Sequence, residues 1–191
     1  EEDYEDRYYY LPDGSRAAGF QEIDGEIYYF DEVDGVLWTN VSFSIYDQNS
    51  HSSKDYRADE NGKLIRGWYK EGSDWYYYGT DGSGAQGILT INGKIYYFVG
   101  GEMQTNTVIV SEGYLYCFGE DGVQQTKQSL EKDGWVKAGE NWFYVKNNQM
   151  VKDEFLTVGK YTYYMDEDGK MCTDTVFGKS DEGQYKYYRV D

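Results

Sequence analysis

Short aromatic runs recur along the chain and alternate with polar, glycine-rich segments. Eight runs are present: Tyr8-Tyr9-Tyr10, Tyr28-Tyr29-Phe30, Tyr76-Tyr77-Tyr78, Tyr96-Tyr97-Phe98, Tyr116-Cys117-Phe118, Phe143-Tyr144, Tyr163-Tyr164 and Tyr187-Tyr188. The steps from Tyr76 to Tyr96 and from Tyr96 to Tyr116 are each 20 residues. A recurring period of this size is typical of one small supersecondary unit copied along the chain.

Each aromatic run has the composition of a β-strand that leads into a tight turn. Tyr76-Tyr77-Tyr78 is followed by Asp81-Gly82, and most other runs by Asp-Gly, Gly-Gly or Asn-Asn. These pairs tolerate the positive φ that tight hairpin turns require. Helical apolar periodicity is not apparent anywhere in the chain. The sequence therefore predicts an all-β solenoid of about eight stacked short β-hairpins, with repeats of roughly 20 residues.

The period is interrupted in two places. Residues 41–54 are polar and rich in Ser, which indicates an irregular insertion, either a long loop or a degenerate unit. Tyr116 and Phe143 are 27 residues apart, so a longer linker separates those two runs. We treat residues 1–191 as a single β-hairpin repeat array whose best-matched repeats span residues 67–178.

Composition changes this picture in two respects. Aromatic residues make up 19% of the chain, and they are expected to form a thin core spread along the repeats. The formal net charge is −17, which makes nucleic acid a poor partner because no basic stripe is present for phosphate contacts. No apolar run approaches the roughly 18 residues of a membrane span, so membrane insertion is not expected.

The sequence offers little support for catalysis or metal binding. His51 is the only histidine, so neither an imidazole-based metal site nor a nucleophile–histidine pair has local support. The acidic segments 31–35 and 166–169 lack EF-hand spacing and resemble hairpin turns. Cys117 and Cys172 are more than two repeats apart and are expected to be small buried hydrophobes without a disulfide. We expect no enzyme, no metal and no cofactor.

Two segments carry a more specific pattern than an aromatic run. They are Gly67-Trp68-Tyr69-Lys70-Glu71-Gly72-Ser73-Asp74-Trp75-Tyr76-Tyr77 and Gly134-Trp135-Val136-Lys137-Ala138-Gly139-Glu140-Asn141-Trp142-Phe143-Tyr144. The pattern resembles the cell-wall-binding (choline-binding) repeat of Gram-positive surface proteins. Shorter units such as 87–98 are similar to the glucan-binding repeats of streptococcal glucosyltransferases and to the C-terminal repeats of clostridial large toxins.

The resemblance implies a β-hairpin solenoid that attaches an exported protein to a polymer. In choline-binding members, two Trp of one unit, a Tyr of the next and often a Met surround a quaternary ammonium, which is held by cation–π attraction. Carried over to this chain, the resemblance implies two cages: Trp68, Trp75, Tyr97 and Met103 in the first, and Trp135, Trp142, Tyr164 and Met171 in the second.

Most units depart from that pattern. Only two of about eight carry the paired Trp, and aliphatic residues such as Ile88 and Leu156 stand near the equivalent place elsewhere. An aliphatic side chain fills a core but offers a poorer face to a cation. Most repeats are therefore expected to be structural, and both choline and carbohydrate stay open as ligands. The paired Trp themselves are either cage walls or ordinary core.

The sequence therefore predicts a non-catalytic binding module, extracellular or at the cell surface, that attaches to choline-decorated teichoic acid or to a glucan. The alternative is a structural or adhesive repeat spacer that presents one face to a protein or a host glycan, as toxin receptor-binding repeats do. The binding module requires Trp68 and Trp75 to converge with Tyr97 around an open pocket, whereas the spacer has them interdigitated without a cavity. The sequence leaves open whether the array forms a homodimer.

Overall fold

The computed structural model describes residues 6–48 and 51–173, together with the backbone of residues 176–179 and 185–188. Strands, turns and bends account for the regular structure, and this part of the chain contains no helix. In particular, no described helix has the length and hydropathy of a membrane span. The all-β prediction is confirmed.

Nineteen strands follow one another through the described residues. They are Gly19–Ile23 (β1), Glu26–Phe30 (β2), Val41–Asp47 (β3), Ser52–Ala58 (β4), Gly67–Glu71 (β5), Asp74–Tyr78 (β6), Gly87–Ile91 (β7), Lys94–Val99 (β8), Glu102–Met103 (β9), Val108–Ser111 (β10), Tyr114–Phe118 (β11), Gln124–Ser129 (β12), Gly134–Ala138 (β13), Asn141–Lys146 (β14), Gln149–Met150 (β15), Glu154–Val158 (β16), Tyr161–Met165 (β17), Val176–Lys179 (β18) and Tyr185–Tyr188 (β19).

Consecutive strands pair as short hairpins. Within the described residues there are eight such pairs: β1–β2, β3–β4, β5–β6, β7–β8, β10–β11, β13–β14, β16–β17 and β18–β19. Three further strands extend them, since β9 pairs with β6 and β8, β12 with β11, and β15 with β14. The aromatic runs from Tyr28 onward lie on the second strand of a hairpin, whereas Tyr8-Tyr9-Tyr10 lies outside the named strands. The prediction that each run leads into the hairpin turn was therefore wrong, because a pair such as Asp81-Gly82 follows the completed β5–β6 hairpin and the turn of that hairpin is at Gly72-Ser73. The side chains of Tyr187 and Tyr188 lie outside the described residues.

The segment 41–54, for which the sequence left open a long loop or a degenerate unit, is part of a regular hairpin. Strands β3 and β4 form a seven-residue antiparallel hairpin in which Val41 pairs with Ala58 and Phe43 with Tyr56. Val41, Phe43 and Ile45 alternate with polar residues, and they pack on a cluster that contains Tyr56 and Ala58. This period of two is a strand signal in its own right, but it lacks the aromatic doublet. Residues 49 and 50 lie outside the described part.

The chain folds as two compact units, Glu1–Leu89 with Tyr97–Met103, and Thr90–Tyr96 with Gln104–Asp191. A single continuous array therefore stays a proposal. In the first unit, Tyr56, Ala58 and Leu64 form a buried cluster. In the second unit, the core has two buried clusters: Leu115, Cys117, Leu130, Val136, Phe143 and Val145 in one, and Val151, Leu156 and Met165 in the other.

Cys117 and Cys172 are thiols and are not joined in a disulfide. Cys117 is fully buried beside Leu115 and Phe143, and burial raises the pKa of its thiol to about 11. A thiol with such a pKa is almost entirely protonated at neutral pH, which makes it a poor nucleophile. Cys117 therefore acts as a small core residue, as expected from its place in an aromatic run.

The acidic turn residues are held by the backbone. The carboxylate of Asp31 accepts hydrogen bonds from the N–H groups of Val33 and Asp34, which lower its pKa. In the same way, Asp166 accepts from the N–H of Lys170. No cluster of three potential metal ligands occurs among the described residues. These carboxylates therefore serve to close the turns, which agrees with the hairpin-turn interpretation of the acidic segments.

The glycine that ends such a turn packs tightly against the segment that follows an earlier hairpin. Gly62 has φ +85°, and a Cβ placed on it would lie 2.7 Å from the side chain of Leu37. Gly82 has φ +79° and would place a Cβ 2.9 Å from Leu64. A larger residue would meet both backbone strain and a steric clash. The turn glycine therefore sets how closely successive hairpins approach.

We expect Gly62→Ala to lower the free energy of unfolding by about 2–4 kcal/mol, since it adds a positive-φ penalty to an overpacked contact. Urea unfolding followed by circular dichroism measures this loss. Gly25→Ala is the matched control, because Gly25 has φ +81° with nothing within 4 Å of a Cβ.

The control variant should lose only about 1 kcal/mol. Adding Leu37→Ala to Gly62→Ala should yield a total loss smaller than the sum of the two single losses. Equal losses for the two glycine variants would contradict the close-approach interpretation.

Candidate functional site: two paired-tryptophan faces

The first paired-tryptophan segment folds into the β5–β6 hairpin. Trp68 lies opposite Tyr77, and Lys70 lies opposite Trp75. Because alternate residues of a strand share a face, these four side chains project from the same side of the hairpin. We call this set, Trp68, Lys70, Trp75 and Tyr77, the first tryptophan face.

The rings on this face meet edge to face. The centroids of Trp68 and Trp75 are 6.0 Å apart with their planes at 89°. Trp68 also lies 5.2 Å from Tyr77 and 5.8 Å from Phe98 of β8, whereas Trp75 keeps 41% of its surface exposed. Trp68 is therefore a packed inner ring, and Trp75 is an accessible outer ring.

The second segment repeats this geometry on the β13–β14 hairpin. Trp135 lies opposite Tyr144 and Lys137 opposite Trp142, which gives the second tryptophan face. The two Trp centroids are 6.3 Å apart with their planes at 88°, and Trp142 is 37% exposed. Two separate hairpins thus hold an inner and an outer tryptophan in the same arrangement.

The aromatic residue that meets the inner ring from the next hairpin is not the predicted one. Tyr163 of β17 lies 4.8 Å from Trp135, whereas the resemblance implies Tyr164. Neighbouring residues of a strand point to opposite faces, so only one of the two tyrosines can turn toward Trp135. Tyr164 instead contacts Phe155 at 4.9 Å, and its hydroxyl donates a 2.6 Å hydrogen bond to the carboxylate of Asp153. That hydrogen bond and the nearby negative charge, together with desolvation, raise the pKa of Tyr164 to about 12.

The same parity holds on β8. Phe98 contacts Trp68, and strand alternation turns the predicted Tyr97 toward the opposite face of β8. Tyr97 is half-buried there. Sequence reasoning therefore pointed to the strands that meet the inner rings, and the contacts seen are made by Phe98 with Trp68 and by Tyr163 with Trp135. The alternation of side chains between the two faces of a strand is the sequence signal that could have distinguished between the residues of each aromatic run.

The two predicted methionines follow the turns as expected. Met103 lies on β9, opposite Phe98 of β8. Met171 packs with Trp135 and Tyr144 against the Leu156 cluster, and its N–H donates to the carbonyl of Trp142 at 2.7 Å. Met171 thus ties the segment after the turn to the second tryptophan face.

A separate cavity in the second unit was not identified from the sequence. Its volume is about 440 Å³, and its lining includes Asn106, Thr107, Phe118, Gln125, Glu140 and Phe143. The lining combines amide and carboxylate groups with the edges of buried rings, a mixture that suits a hydroxyl-rich ligand. These residues come from three hairpin segments and are up to 37 positions apart, so no short sequence motif contains them all.

Comparisons with known proteins bear on these faces. Residues 4–41 match the family model described as a choline-binding repeat. Residues 133–148 and 153–171 match the model described as a putative cell wall binding repeat, and they contain the second tryptophan face. Three segments of the chain are therefore similar to choline-binding or cell wall binding repeats.

The chain is also similar to part of much longer proteins. The chain is 28% identical over 207 residues to glucosyltransferase-S of Streptococcus mutans, with 94% of this chain and 13% of that protein covered. It is also 28% identical to glucosyltransferase-I of Streptococcus downei, with 96% of this chain and 12% of that protein covered. The chain thus spans about an eighth of the length of these two relatives.

The repeat fold is also found in a solved structure. Choline binding protein F from Streptococcus pneumoniae aligns with a TM-score of 0.51 and 24% identity, covering 94% of this chain and 60% of that one. At this identity the likeness concerns the fold, and it agrees with the hairpins described above.

The inner and outer rings should differ in their contribution to stability. We expect Trp68→Ala to lower the free energy of unfolding by about 2–3 kcal/mol and Trp75→Ala by about 1 kcal/mol, because only Trp68 loses packed contacts. Urea unfolding measures both. Trp135→Ala and Trp142→Ala should repeat the difference, and a larger loss for the outer ring would contradict this division of roles.

Asp153→Asn should lower the pKa of Tyr164 from about 12 toward its ordinary value of 10.0. A folded-state pKa above the unfolded one means that the stabilisation is complete below about pH 10 and is lost as the pH rises toward 12. The absorbance of tyrosinate, titrated against a Tyr164→Phe reference, measures the shift. An unchanged titration would show that Asp153 does not hold this hydroxyl.

Proposed function

We propose that the chain is a non-catalytic binding module that holds an extracellular, cell-wall-associated protein on a polymer. The ligand class is choline-decorated teichoic acid or a glucan. The observation that carries this proposal is the duplicated tryptophan face with its exposed outer ring, Trp75 or Trp142. An exposed Trp face binds quaternary ammonium groups by cation–π attraction and also offers a flat apolar surface to a sugar ring.

The comparisons support this class of function. The matched models are described as choline-binding and cell wall binding repeats, and the curated relatives are glucosyltransferases. Their alignment covers only a small part of each enzyme, which is consistent with a repeat region separate from the rest of the protein.

The carboxylates favour a non-catalytic role. The pKa values of Asp13 and Asp31 are lowered by hydrogen bonds from turn N–H groups and, at Asp13, from Ser15. A general acid for glycoside chemistry needs the opposite, a carboxyl group with a raised pKa inside a cleft. These residues at the turn tips therefore stabilise turns and do not supply a proton.

A structural spacer is the second candidate, and the packing of Trp68 favours it. Trp68 contacts Tyr77 and Phe98, so the inner ring serves as core whether or not a ligand binds. The spacer also requires that the outer ring binds no ligand, and a ligand titration tests that requirement.

We expect the intrinsic Trp fluorescence to change when the chain is titrated with choline or with dextran, because the outer rings are exposed. Calorimetry on the same samples should report the binding heat. The double variant Trp75→Ala/Trp142→Ala should lose the response and keep its circular dichroism spectrum.

Trp38→Phe is the matched control, since Trp38 packs on Tyr29 and Phe43 and belongs to neither tryptophan face. It should retain the binding heat for the ligand that the wild type binds. Absence of any response to either ligand in the folded wild type would overturn the binding module and favour the spacer.

A further inference from the structure

The tip of the β7–β8 hairpin is an exposed Asn-Gly pair. Asn92 and Gly93 are the two residues that join Ile91 of β7 to Lys94 of β8, with φ +50° and +78°. A two-residue hairpin loop with positive φ at both positions is a type I′ turn. Both residues are exposed, and nothing lies within 4 Å of a Cβ placed on Gly93. Solvent therefore reaches the side-chain amide of Asn92 and the peptide bond that follows it.

The backbone N–H of Gly93 is not used to close this turn. The closing hydrogen bond of such a turn joins the flanking residues, here the carbonyl of Ile91 and the N–H of Lys94. Among the described residues, the turn hydrogen bonds include none that Gly93 donates. Glycine also lacks a Cβ that would obstruct its nitrogen. The nitrogen of Gly93 can therefore approach Cγ of the preceding Asn92.

A second Asn-Gly pair has the opposite surroundings. The N–H of Gly62 donates to the carbonyl of Asp59 at 3.0 Å, and the N–H of Asn61 donates to the Asp59 carboxylate at 2.8 Å. Gly62 is also buried, and it lies against Leu37. An attack by the nitrogen of Gly62 would first have to break its hydrogen bond and move packed backbone. The chain thus holds the same dipeptide once in an open turn and once in a closed one.

We propose that Asn92 is a site of spontaneous deamidation in the folded protein and that Asn61 is protected. The nitrogen of Gly93 attacks Cγ of Asn92, so that an N–Cγ bond forms while the Cγ–Nδ2 bond breaks. Nδ2 leaves as ammonia and takes the proton of the Gly93 N–H, which leaves a five-membered succinimide. Water then opens this ring. Cleavage of the N–Cγ bond gives aspartate, and cleavage between the nitrogen and the main-chain carbonyl carbon of residue 92 gives isoaspartate.

The two products should differ in how they fit the hairpin. Aspartate suits the turn, since Asp24-Gly25 forms the tip of the β1–β2 hairpin with φ +53° and +81°. Isoaspartate directs the main chain through its own side chain, which adds one methylene to a loop whose length sets the strand register. Strand β7 lies at the edge of its five-stranded sheet, where β8 is its neighbour. Isoaspartate at position 92 therefore loosens β7.

The test incubates the folded full chain in mildly alkaline buffer, where the attacking amide nitrogen loses its proton more readily, and follows both sites by peptide mass mapping. Asn92 should convert to aspartate and isoaspartate. Asn61 should convert about tenfold more slowly or less, the factor for one turn hydrogen bond that has to break first. In urea, which removes both turns, the two rates should approach each other.

Equal rates for Asn61 and Asn92 in the folded chain would overturn the proposal. So would an Asn92 that stays unmodified in the folded chain while it converts in urea. A tenfold difference that persists in urea would also contradict it, because local sequence and not the fold would then be the cause. These readouts are independent of the proposed binding function.

Two variants at position 92 serve as matched controls. Asn92→Gln should stop the modification and keep the circular dichroism spectrum, because Glu112 occupies the same tip position of the β10–β11 hairpin with φ +50°. Asn92→Asp should unfold at the wild-type urea midpoint. The isoaspartate fraction, separated from aged wild type by ion exchange, should unfold at a lower midpoint. A wild-type midpoint for that fraction would contradict the loosening of β7.

Discussion

The contact between a turn glycine and a side chain in the segment that follows an earlier hairpin is the constraint on which the rest of the structure depends. A Cβ on Gly62 would lie 2.7 Å from Leu37, and a Cβ on Gly169 would lie 3.1 Å from Met150. A two-stranded hairpin is marginal alone in water, so each one must bury its apolar side against a neighbour. The glycine allows the approach that makes this burial possible, and the turn carboxylates keep the backbone in the required geometry.

Strand alternation then divides the aromatic side chains of strands such as β14 between two tasks. One set of rings enters the core, as Phe98 and Phe143 do with almost no exposed surface. The other set remains at the surface, where lysines and arginines of the chain cover several of the rings. The tryptophan faces combine both tasks, because the inner ring belongs to the packing and the outer ring is left accessible. Any binding function therefore has to use the outer ring.

The strength of the sequence signals explains which expectations held. The aromatic doublets are local signals, and they located the second strand of most hairpins, whereas pairs such as Asp34-Gly35 and Asp81-Gly82 lie in the turns that follow the hairpins. The β3–β4 hairpin went unrecognised because its alternating Val41, Phe43 and Ile45 carry no doublet and are separated by polar residues. Cross-strand register brings together the paired tryptophans of each segment, Trp68 with Trp75 and Trp135 with Trp142. Lys70 and Lys137 were visible in both segments, but only the register shows that they lie opposite the outer rings.

The sequence by itself determined the secondary structure class, the hairpin unit and the two segments that carry paired tryptophans, because period, turn residues and cross-strand neighbours are all local properties. Only the tertiary structure decided which ring is inner and which is outer. It also decided that Tyr163, and not Tyr164, meets Trp135, and that the residues of the 440 Å³ cavity converge. These outcomes depend on how one hairpin packs against the next, and a contact between residues 20 or more positions apart leaves no signature in the short motif that contains either partner.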